Sequence, residues 1–151
     1  MEIERKFKLD KLPDNLGKGV RIIQGYLIIG KNEVRLRMKG GRYLITYKGA
    51  GMLSRREVEI GIPKWLFELM WPLTRGRKVE KIRYFRALPN GLELEFDEYL
   101  GSLKGLFTVE VEFPNEASAN AFVLPPGIRG EDVTLDERYK NKNLTLNGLP
   151  N

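Results

Sequence analysis

Polar and apolar residues alternate along most of the chain with the two-residue period that is typical of β-strands. In the first such run, apolar residues occupy one face, and the other face carries Glu2, Glu4, Lys6 and Lys8. The alternation returns in later runs, which are separated by short segments rich in glycine, proline and asparagine. The pattern predicts eight strands, at residues 1–10, 19–29, 33–39, 42–48, 53–62, 77–87, 92–99 and 106–113.

Three segments interrupt this pattern and are predicted to be helical. Pro63 begins a short apolar helix that ends near Trp71, since proline is favoured in a first helical turn. A second helix is predicted from Asn115, a good N-cap residue, to Phe122, and a weaker helical turn at 136–144. The side chains of the first helix that we expect to cover the sheet are Trp65, Leu66, Leu69 and Met70.

Eight short antiparallel strands can close into a barrel, which removes exposed strand edges. We therefore expect a mainly β fold with a few short helices, an eight-stranded antiparallel β-barrel, as one domain over residues 1–151. Charged faces that point inward would make its interior a hydrated tunnel with opposite charges close together, because unpaired buried charges are very costly. Charged faces that point outward would give an ordinary barrel or sandwich, and the pattern alone leaves both arrangements open.

The residue types that are missing exclude several kinds of chemistry. The chain has no histidine and no cysteine, which excludes Ser-His-Asp and Cys-His catalysis, disulfides, and zinc sites built on these residues. A bound metal ion must have oxygen ligands, which favours Mg²⁺ or Mn²⁺. The formal net charge of +6 favours an anionic partner.

The N-terminal residues and the length of the apolar runs bear on cellular location. Acidic and basic residues fill the N-terminus from position 2, which is not the form of a signal peptide. No apolar run approaches the length of a membrane span. From these features we expect a cytoplasmic protein that has no membrane partner.

Basic residues in the strand runs are candidate phosphate ligands. Arginine offers a planar fork that matches phosphate oxygens, and lysine offers a point charge. Any one of these residues is as readily explained by a solvated strand face, so the prediction depends on their common phase. If the charged faces share one lumen, the side chains that converge are Lys6, Lys8, Arg35, Arg37, Lys48, Lys81 and Arg83.

Carboxylates form four pairs at i, i+2 spacing, in phase with the basic residues. Adjacent carboxylates repel, so clustering them costs stability unless cations lie between them. Divalent metal ions supply that charge and also bridge phosphate oxygens. Each pair alone could be a solvated doublet, but four pairs in phase favour a metal site. The pairs are Glu2 and Glu4, Glu57 and Glu59, Glu95 and Asp97, and Glu110 and Glu112.

An ordered series of motifs covers nearly the whole chain. It begins with Glu2-Ile3-Glu4-Arg5-Lys6 and continues with Gln24-Gly25-Tyr26-Leu27, Arg35-Leu36-Arg37, Thr46-Tyr47-Lys48-Gly49, Leu53-Ser54-Arg55, Glu57-Val58-Glu59, Glu80-Lys81-Ile82-Arg83-Tyr84, Glu95-Phe96-Asp97, Glu110-Val111-Glu112, Glu131-Asp132-Val133-Thr134 and Arg138-Tyr139-Lys140-Asn141. This series resembles the CYTH superfamily, the triphosphate tunnel metalloenzymes. The resemblance implies an eight-stranded antiparallel tunnel that binds a small-molecule triphosphate and divalent metal ions.

Within that superfamily, the short single-domain build is most similar to small prokaryotic inorganic triphosphatases. The similarity implies hydrolysis of tripolyphosphate to diphosphate and phosphate with Mg²⁺ or Mn²⁺. Tyr26 and Lys48 match positions proposed as a catalytic pair in close relatives, although Tyr26 is equally explained as a core residue. We expect a first metal on Glu2, Glu4 and Glu110 or Glu112, and a second near Glu57, Glu59, Glu95 and Asp97.

Two other functions are compatible with the sequence. A class IV adenylyl cyclase belongs to the same superfamily, but no group that would recognise adenine is evident. A non-catalytic module that binds polyphosphate or nucleic acid is disfavoured, because the carboxylate pairs would repel a polyanion unless metal intervenes. The basic doublets also lack the interleaved aromatic residues of nucleic-acid modules, so a nucleic-acid partner is not expected. The sequence leaves a homodimer open.

Overall fold

The computed structural model describes residues 1–150. Its ten strands form one sheet in which every strand pairing is antiparallel. The strands are β1 (Glu2–Leu9), β2 (Val20–Ile28), β3 (Glu33–Lys39), β4 (Arg42–Lys48), β5 (Ser54–Arg55), β6 (Glu57–Gly61), β7 (Lys78–Ala87), β8 (Glu93–Tyr99), β9 (Phe107–Glu112) and β10 (Gly130–Asp132). The helices are α1 (Lys64–Met70), α2 (Glu116–Ala121) and α3 (Asn141–Asn147), and 3₁₀ turns lie at Trp71–Thr74, Gly101–Leu103 and Glu137–Tyr139. None of the helices in this part of the chain is long and apolar enough to cross a membrane.

All eight predicted strand regions are present, but the predicted strand count is wrong. The region 53–62 is divided at Arg56 into β5 and β6, and β10 is an additional strand. The register of β10 runs from Phe7 opposite Asp132 to Leu9 opposite Gly130. A three-residue strand of this kind owes its form to the partner edge, which local alternation does not reveal.

The sheet curls but does not close, so the predicted closed barrel is also wrong. Its order is β10-β1-β9-β8-β7-β2-β3-β4-β6, and β5 pairs with β1 outside this path. The chain changes partners at Arg56, because β5 pairs with β1 whereas β6 pairs with β4. Within residues 1–150 the second edge of β6 has no partner strand, and Val58 and Ile60 are 54% and 57% exposed.

The charged faces of the strands point inward. Side chains from β1 to β9 line a single cavity inside the curl. On β3, Arg35 and Arg37 line this cavity, whereas the intervening Leu36 is fully buried on the opposite face. The arrangement in which the charged faces form a solvated outer surface is therefore wrong for this protein.

The main apolar core lies on the outer face of β1, β8 and β9. Its fully buried side chains include Leu94, Phe96, Val109 and Val111, each worth about 1.5–3 kcal/mol of burial free energy. The predicted second helix, α2, packs on this face through Ala119. Its N-terminus is capped as predicted, because the Asn115 side chain accepts a hydrogen bond from the Ser118 backbone N–H at 2.7 Å.

A second apolar cluster joins the C-terminal segment to the sheet. Val133, Tyr139 and Leu144 pack there with residues of β7 and β8, including Val79 and Tyr99. Val133 and Tyr139 also line the cavity. The C-terminal segment therefore forms part of the cavity wall, and this cluster fixes its position.

The helix α1 does not cover the sheet in the predicted way. Phe67 is its one fully buried residue, and its ring stacks on Trp71, with the two ring centroids 5.0 Å apart. A helix of seven residues presents little more than one such i, i+4 pair to a neighbour. Of the four predicted covering residues, Leu66 and Met70 are half-buried, and the two that are exposed are Trp65 (66%) and Leu69 (69%).

Candidate active site

The cavity within the curled sheet has a volume of about 190 Å³, and most of its lining side chains are charged. It collects thirteen of the sixteen residues that the sequence predicts for the site. They are Glu2, Glu4, Lys6, Tyr26, Arg35, Arg37, Lys48, Glu57, Glu59, Arg83, Glu95, Glu110 and Glu112.

A tight hairpin between β3 and β4 sets the register of this wall. Gly40 and Gly41 both have positive φ, 55° and 82°, which is the backbone of the type I′ turns that join adjacent antiparallel strands. Residues with side chains would be strained there, since L-residues rarely adopt positive φ. The resulting register places Arg35 opposite Thr46, so that the polar faces of both strands point into the cavity.

Three predicted site residues lie outside the cavity. The Asp97 carboxylate accepts hydrogen bonds from Lys81 Nζ at 2.8 Å and from Arg83 Nε and Nη2 at 2.8 and 2.9 Å. Burial would raise the pKa of Asp97, but Arg83 and Lys81 outweigh it and lower that pKa. Lys8 lies beyond the cavity, opposite Thr108 near the end of β1. Asp97 as a metal ligand, and Lys81 and Lys8 as phosphate ligands, are therefore not supported: the first two neutralise each other inside the protein.

Strand β3 carries three cations that form no ion pair among residues 1–150. Within residues 1–150, Arg35, Arg37 and Lys39 form no ion pair, and the buried Arg35 Nε has no hydrogen-bond partner. Burial lowers the pKa of Arg37 to about 10, and repulsion from Arg35 and Arg83 adds to the effect. The pKa of Lys39 is lowered in the same way, by burial and by Arg83. Burial lowers and nearby carboxylates raise the pKa of Arg35, which is raised overall. Among residues 1–150, this strand therefore offers an anion three cations that are not held in an ion pair.

Two carboxylates on β1 and β9 lack a cation. Glu4 and Glu112 are direct cross-strand partners, and neither forms an ion pair within the described chain. Burial raises the pKa of Glu4 to about 8, and the neighbouring Glu110 and Glu2 add to the shift. The pKa of Glu112 is also raised, by burial and by Glu2. Opposed like charges destabilise an antiparallel pair, so a cation between them would relieve a real cost.

This donor set fits a hard divalent metal ion. Carboxylate oxygens are the ligands that Mg²⁺ and Mn²⁺ prefer, and neither Glu4 nor Glu112 is held in an ion pair among residues 1–150. The described residues contain no group of three carboxylates that is already arranged around one metal position.

The other cavity carboxylates have cationic or hydroxyl partners. Glu59 accepts a hydrogen bond from Thr46 Oγ1 at 2.7 Å. Of the carboxylates predicted from the sequence, the remaining four are held in ion pairs, which reduces the number of uncompensated charges of both signs. These pairs are Glu2 with Lys48 (2.8 Å), Glu95 with Arg83 (2.8 Å), Glu110 with Arg83 (3.5 Å) and with Lys6 (3.7 Å), and Glu57 with Lys48 (3.7 Å).

The predicted catalytic pair shares the cavity but is not joined directly. Lys48 Nζ contacts Glu2 and Glu57, and among the described residues it makes no hydrogen bond to Tyr26. The Tyr26 hydroxyl instead accepts a hydrogen bond from Gln24 Nε2 at 3.4 Å. Burial raises the pKa of Tyr26, although Arg35 opposes that shift. A neutral Tyr26 can orient a neighbour, whereas it is poorly suited to act as a base.

Several cavity residues were not predicted. Glu33 and Lys39 share the phase of Arg35 and Arg37 on β3, so extending that doublet in both directions would have found them. Other lining residues come from the two-residue strand β5, from loops and from the C-terminal segment, all too short or irregular for alternation to mark them. They include Arg55, Thr134, Asp136, Lys140 and Asn141.

Two curated proteins resemble this chain closely in sequence. The inorganic triphosphatase of Nitrosomonas europaea is 49% identical over 147 residues, which cover 96% of this chain and 97% of that protein. The inorganic triphosphatase of Acetivibrio thermocellus is 37% identical over 154 residues, covering 99% and 96%. No family model matches the chain.

The fold leads to the same group of proteins. A crystal structure of an inorganic triphosphatase matches this one with a TM-score of 0.71 at 45% identity, covering 100% of this chain and 97% of that one. Both the sequence and the structural likeness extend over nearly the whole length of the proteins compared. The chain therefore belongs to the inorganic triphosphatase family.

Proposed function

We propose that this protein hydrolyses inorganic tripolyphosphate to diphosphate and phosphate, with Mg²⁺ or Mn²⁺. One observation carries the proposal: among residues 1–150, a single cavity holds three cations and two carboxylates that are not held in any ion pair. The cations lie on β3, and the carboxylates lie on β1 and β9, with β8, β7 and β2 between them in the sheet. A linear triphosphate together with a divalent cation supplies the charges that both groups lack.

The cations would bind the phosphate chain. Arg35 and Arg37 offer guanidinium forks to pairs of phosphate oxygens, and Lys39 offers a point charge further along the same strand. Since little covalent chemistry falls to the protein in phosphoryl transfer, positioning and charge stabilisation account for most of the rate. Arg83 would contribute less, because Asp97, Glu95 and Glu110 already share its charge.

The carboxylates would hold the metal ion. Glu4 and Glu112 are the best-placed ligands, with Glu2 and Glu110 beside them, and Glu57, Glu59 and Glu95 are available for a second ion. When bound, the metal would neutralise phosphate oxygens and make a coordinated water more acidic.

The protein's own side chains would then have narrower roles than a general base. Lys48 is a charge clamp in this proposal, because its ammonium group already contacts Glu2 and Glu57. Tyr26, fully buried with its hydroxyl beside Gln24, would orient groups at the β2–β3 side of the cavity.

The proposal is tested by phosphate release from tripolyphosphate, ATP, thiamine triphosphate and diphosphate, each with Mg²⁺, Mn²⁺ or EDTA. We expect tripolyphosphate to have the highest kcat/KM. Among residues 1–150, no group in the cavity is evident that would recognise a nucleobase, so the nucleoside of ATP would add no binding energy to orient the substrate. Chromatography of the ATP reaction should show no cyclic AMP. Cyclic AMP as the main product would make the protein a cyclase, and saturable binding without turnover would make it a binding module.

A further inference from the structure

Gln24 is a fully buried polar residue on β2 that does not line the cavity. It is the direct cross-strand partner of Arg37 on β3. Its Oε1 accepts two hydrogen bonds from the Arg37 guanidinium, from Nε at 3.0 Å and from Nη2 at 2.8 Å. Because a guanidinium group can only donate, the amide must turn its oxygen toward Arg37 and its nitrogen toward the Tyr26 hydroxyl.

This two-point contact restrains the plane of the guanidinium group. The Nε and Nη2 edge is held by Gln24, and within residues 1–150 Arg37 Nη1 has no hydrogen-bond partner. Since Arg37 lines the cavity, its unheld donors are the ones available to a ligand. A side chain fixed in this way loses less conformational freedom when it binds phosphate.

The chemical type of residue 24 also matters. A carboxylate at this place would hold Arg37 equally well, but it would form an ion pair and compensate the charge. The neutral amide holds the side chain and leaves its full positive charge to an anion. The neighbouring Arg83 illustrates the contrast, because three carboxylates surround it.

We infer that Gln24 is a positioning residue that orients Arg37 toward the triphosphate and keeps its charge uncompensated. The inference rests on the proposed function, in which Arg37 binds the phosphate chain. Gln24 acts only through Arg37, so its contribution must disappear when Arg37 is removed.

A double-mutant cycle tests this dependence. The proteins are wild type, Gln24→Leu, Arg37→Ala and the double variant, each measured for tripolyphosphate hydrolysis and, in EDTA, for tripolyphosphate affinity by calorimetry. We expect Gln24→Leu to lower kcat/KM by about 10- to 100-fold, mainly through KM, and to have little further effect in the Arg37→Ala background. Gln24→Glu, which keeps both hydrogen bonds, should also raise KM, since its carboxylate competes with the substrate.

Thr108→Val is the matched control, because Thr108 is a buried polar residue on β9 that lies outside the cavity and, among residues 1–150, makes no hydrogen bond to Gln24 or Arg37. Thermal unfolding checks that each variant folds, and Gln24→Glu replaces Gln24→Leu in the cycle if the latter does not. Equal losses from the Gln24 change in both backgrounds would contradict the inference, as would wild-type affinity in Gln24→Glu. A wild type that binds tripolyphosphate without cleaving it would overturn the proposed function, and the affinity cycle would still decide the role of Gln24.

Discussion

Glu4 and Glu112 lie directly opposite each other on β1 and β9, and neither has a cationic partner within residues 1–150. The pKa of Glu4 is raised from 4.5 to about 8, by burial first and then by Glu110 and Glu2. Below about pH 8 the folded protein avoids two opposed charges by keeping a proton on Glu4, and this proton uptake costs it stability relative to the unfolded chain. A metal-binding role would explain why the protein retains this destabilising pair, and the loss of stability that the pair causes depends on pH.

The metal-free protein should lose stability as pH rises from about 4.5 to about 8. In this window the folded state keeps a proton on Glu4 that the unfolded state has released, so the free energy of unfolding falls with increasing pH. Thermal unfolding in EDTA across this range measures the slope. Glu4→Gln should flatten it, and an identical slope in wild type and Glu4→Gln would show that Glu4 does not titrate in this way.

Replacing Glu4 or Glu112 by glutamine should reduce activity much more than stability. The substitution removes a metal ligand while it relieves carboxylate repulsion, so the melting temperature in EDTA should hold or rise. We expect activity at saturating Mg²⁺ to fall by about 100-fold or more, beyond the usual effect of changing a residue that only supports a ligand. Glu98→Gln, on the outer side of β8, is the control, and a variant that unfolds without losing metal affinity would mark Glu4 as structural.

Arg37→Ala should weaken tripolyphosphate binding, and it should also cost some stability because it leaves the buried Gln24 amide oxygen without its donors. A hydrogen bond to a charged group is worth about 1.5–3 kcal/mol, so KM should rise about 10- to 100-fold. Arg37→Lys should restore only part of the affinity, because a lysine cannot reproduce the fork. Steady-state kinetics with thermal unfolding separates the two effects, and unchanged KM in Arg37→Ala would remove this residue from the substrate site.

Asp97→Asn should instead destabilise the protein, with or without metal. Asp97 and Lys81 are completely buried, and removing one charge leaves Lys81 and Arg83 without their main counterion. Loss of one partner of a buried pair costs about 3–5 kcal/mol. Urea unfolding measures the change, with Glu98→Gln as a control that should stay within about 0.5 kcal/mol of wild type. A stable Asp97→Asn protein with reduced metal affinity would return Asp97 to the metal site.

The sequence predicts those parts of the fold that depend on residues two apart. The alternation of Glu2, Glu4 and Lys6, and of Arg35 and Arg37, predicts the strands and which residues share a face, whereas the pattern alone leaves open whether that face points inward. Turn chemistry predicts the hairpin at 40–41, because two adjacent glycines can both adopt positive φ.

Features that depend on register and partner choice are not predictable in this way. Asp97 has the same phase as Glu95, yet it lies opposite Arg83 and is sequestered by it. The division at Arg56 likewise depends on partner choice, because β5 pairs with β1 whereas β6 pairs with β4. The formation of β10 depends in the same way on its pairing with β1. The role inferred for Gln24 needs the distance to Arg37, since a lone glutamine in an alternating strand carries no signal of its own.

Metal-dependent hydrolysis of tripolyphosphate is tested most directly by the product balance of the reaction in Mg²⁺ and in EDTA. We expect one phosphate and one diphosphate for each tripolyphosphate consumed in Mg²⁺, and no turnover once EDTA has removed the metal. Full turnover in EDTA would contradict the assignment of the unpaired carboxylates Glu4 and Glu112 to a metal ion. If neither Mg²⁺ nor Mn²⁺ supports phosphate release, the proposed triphosphatase activity would be contradicted.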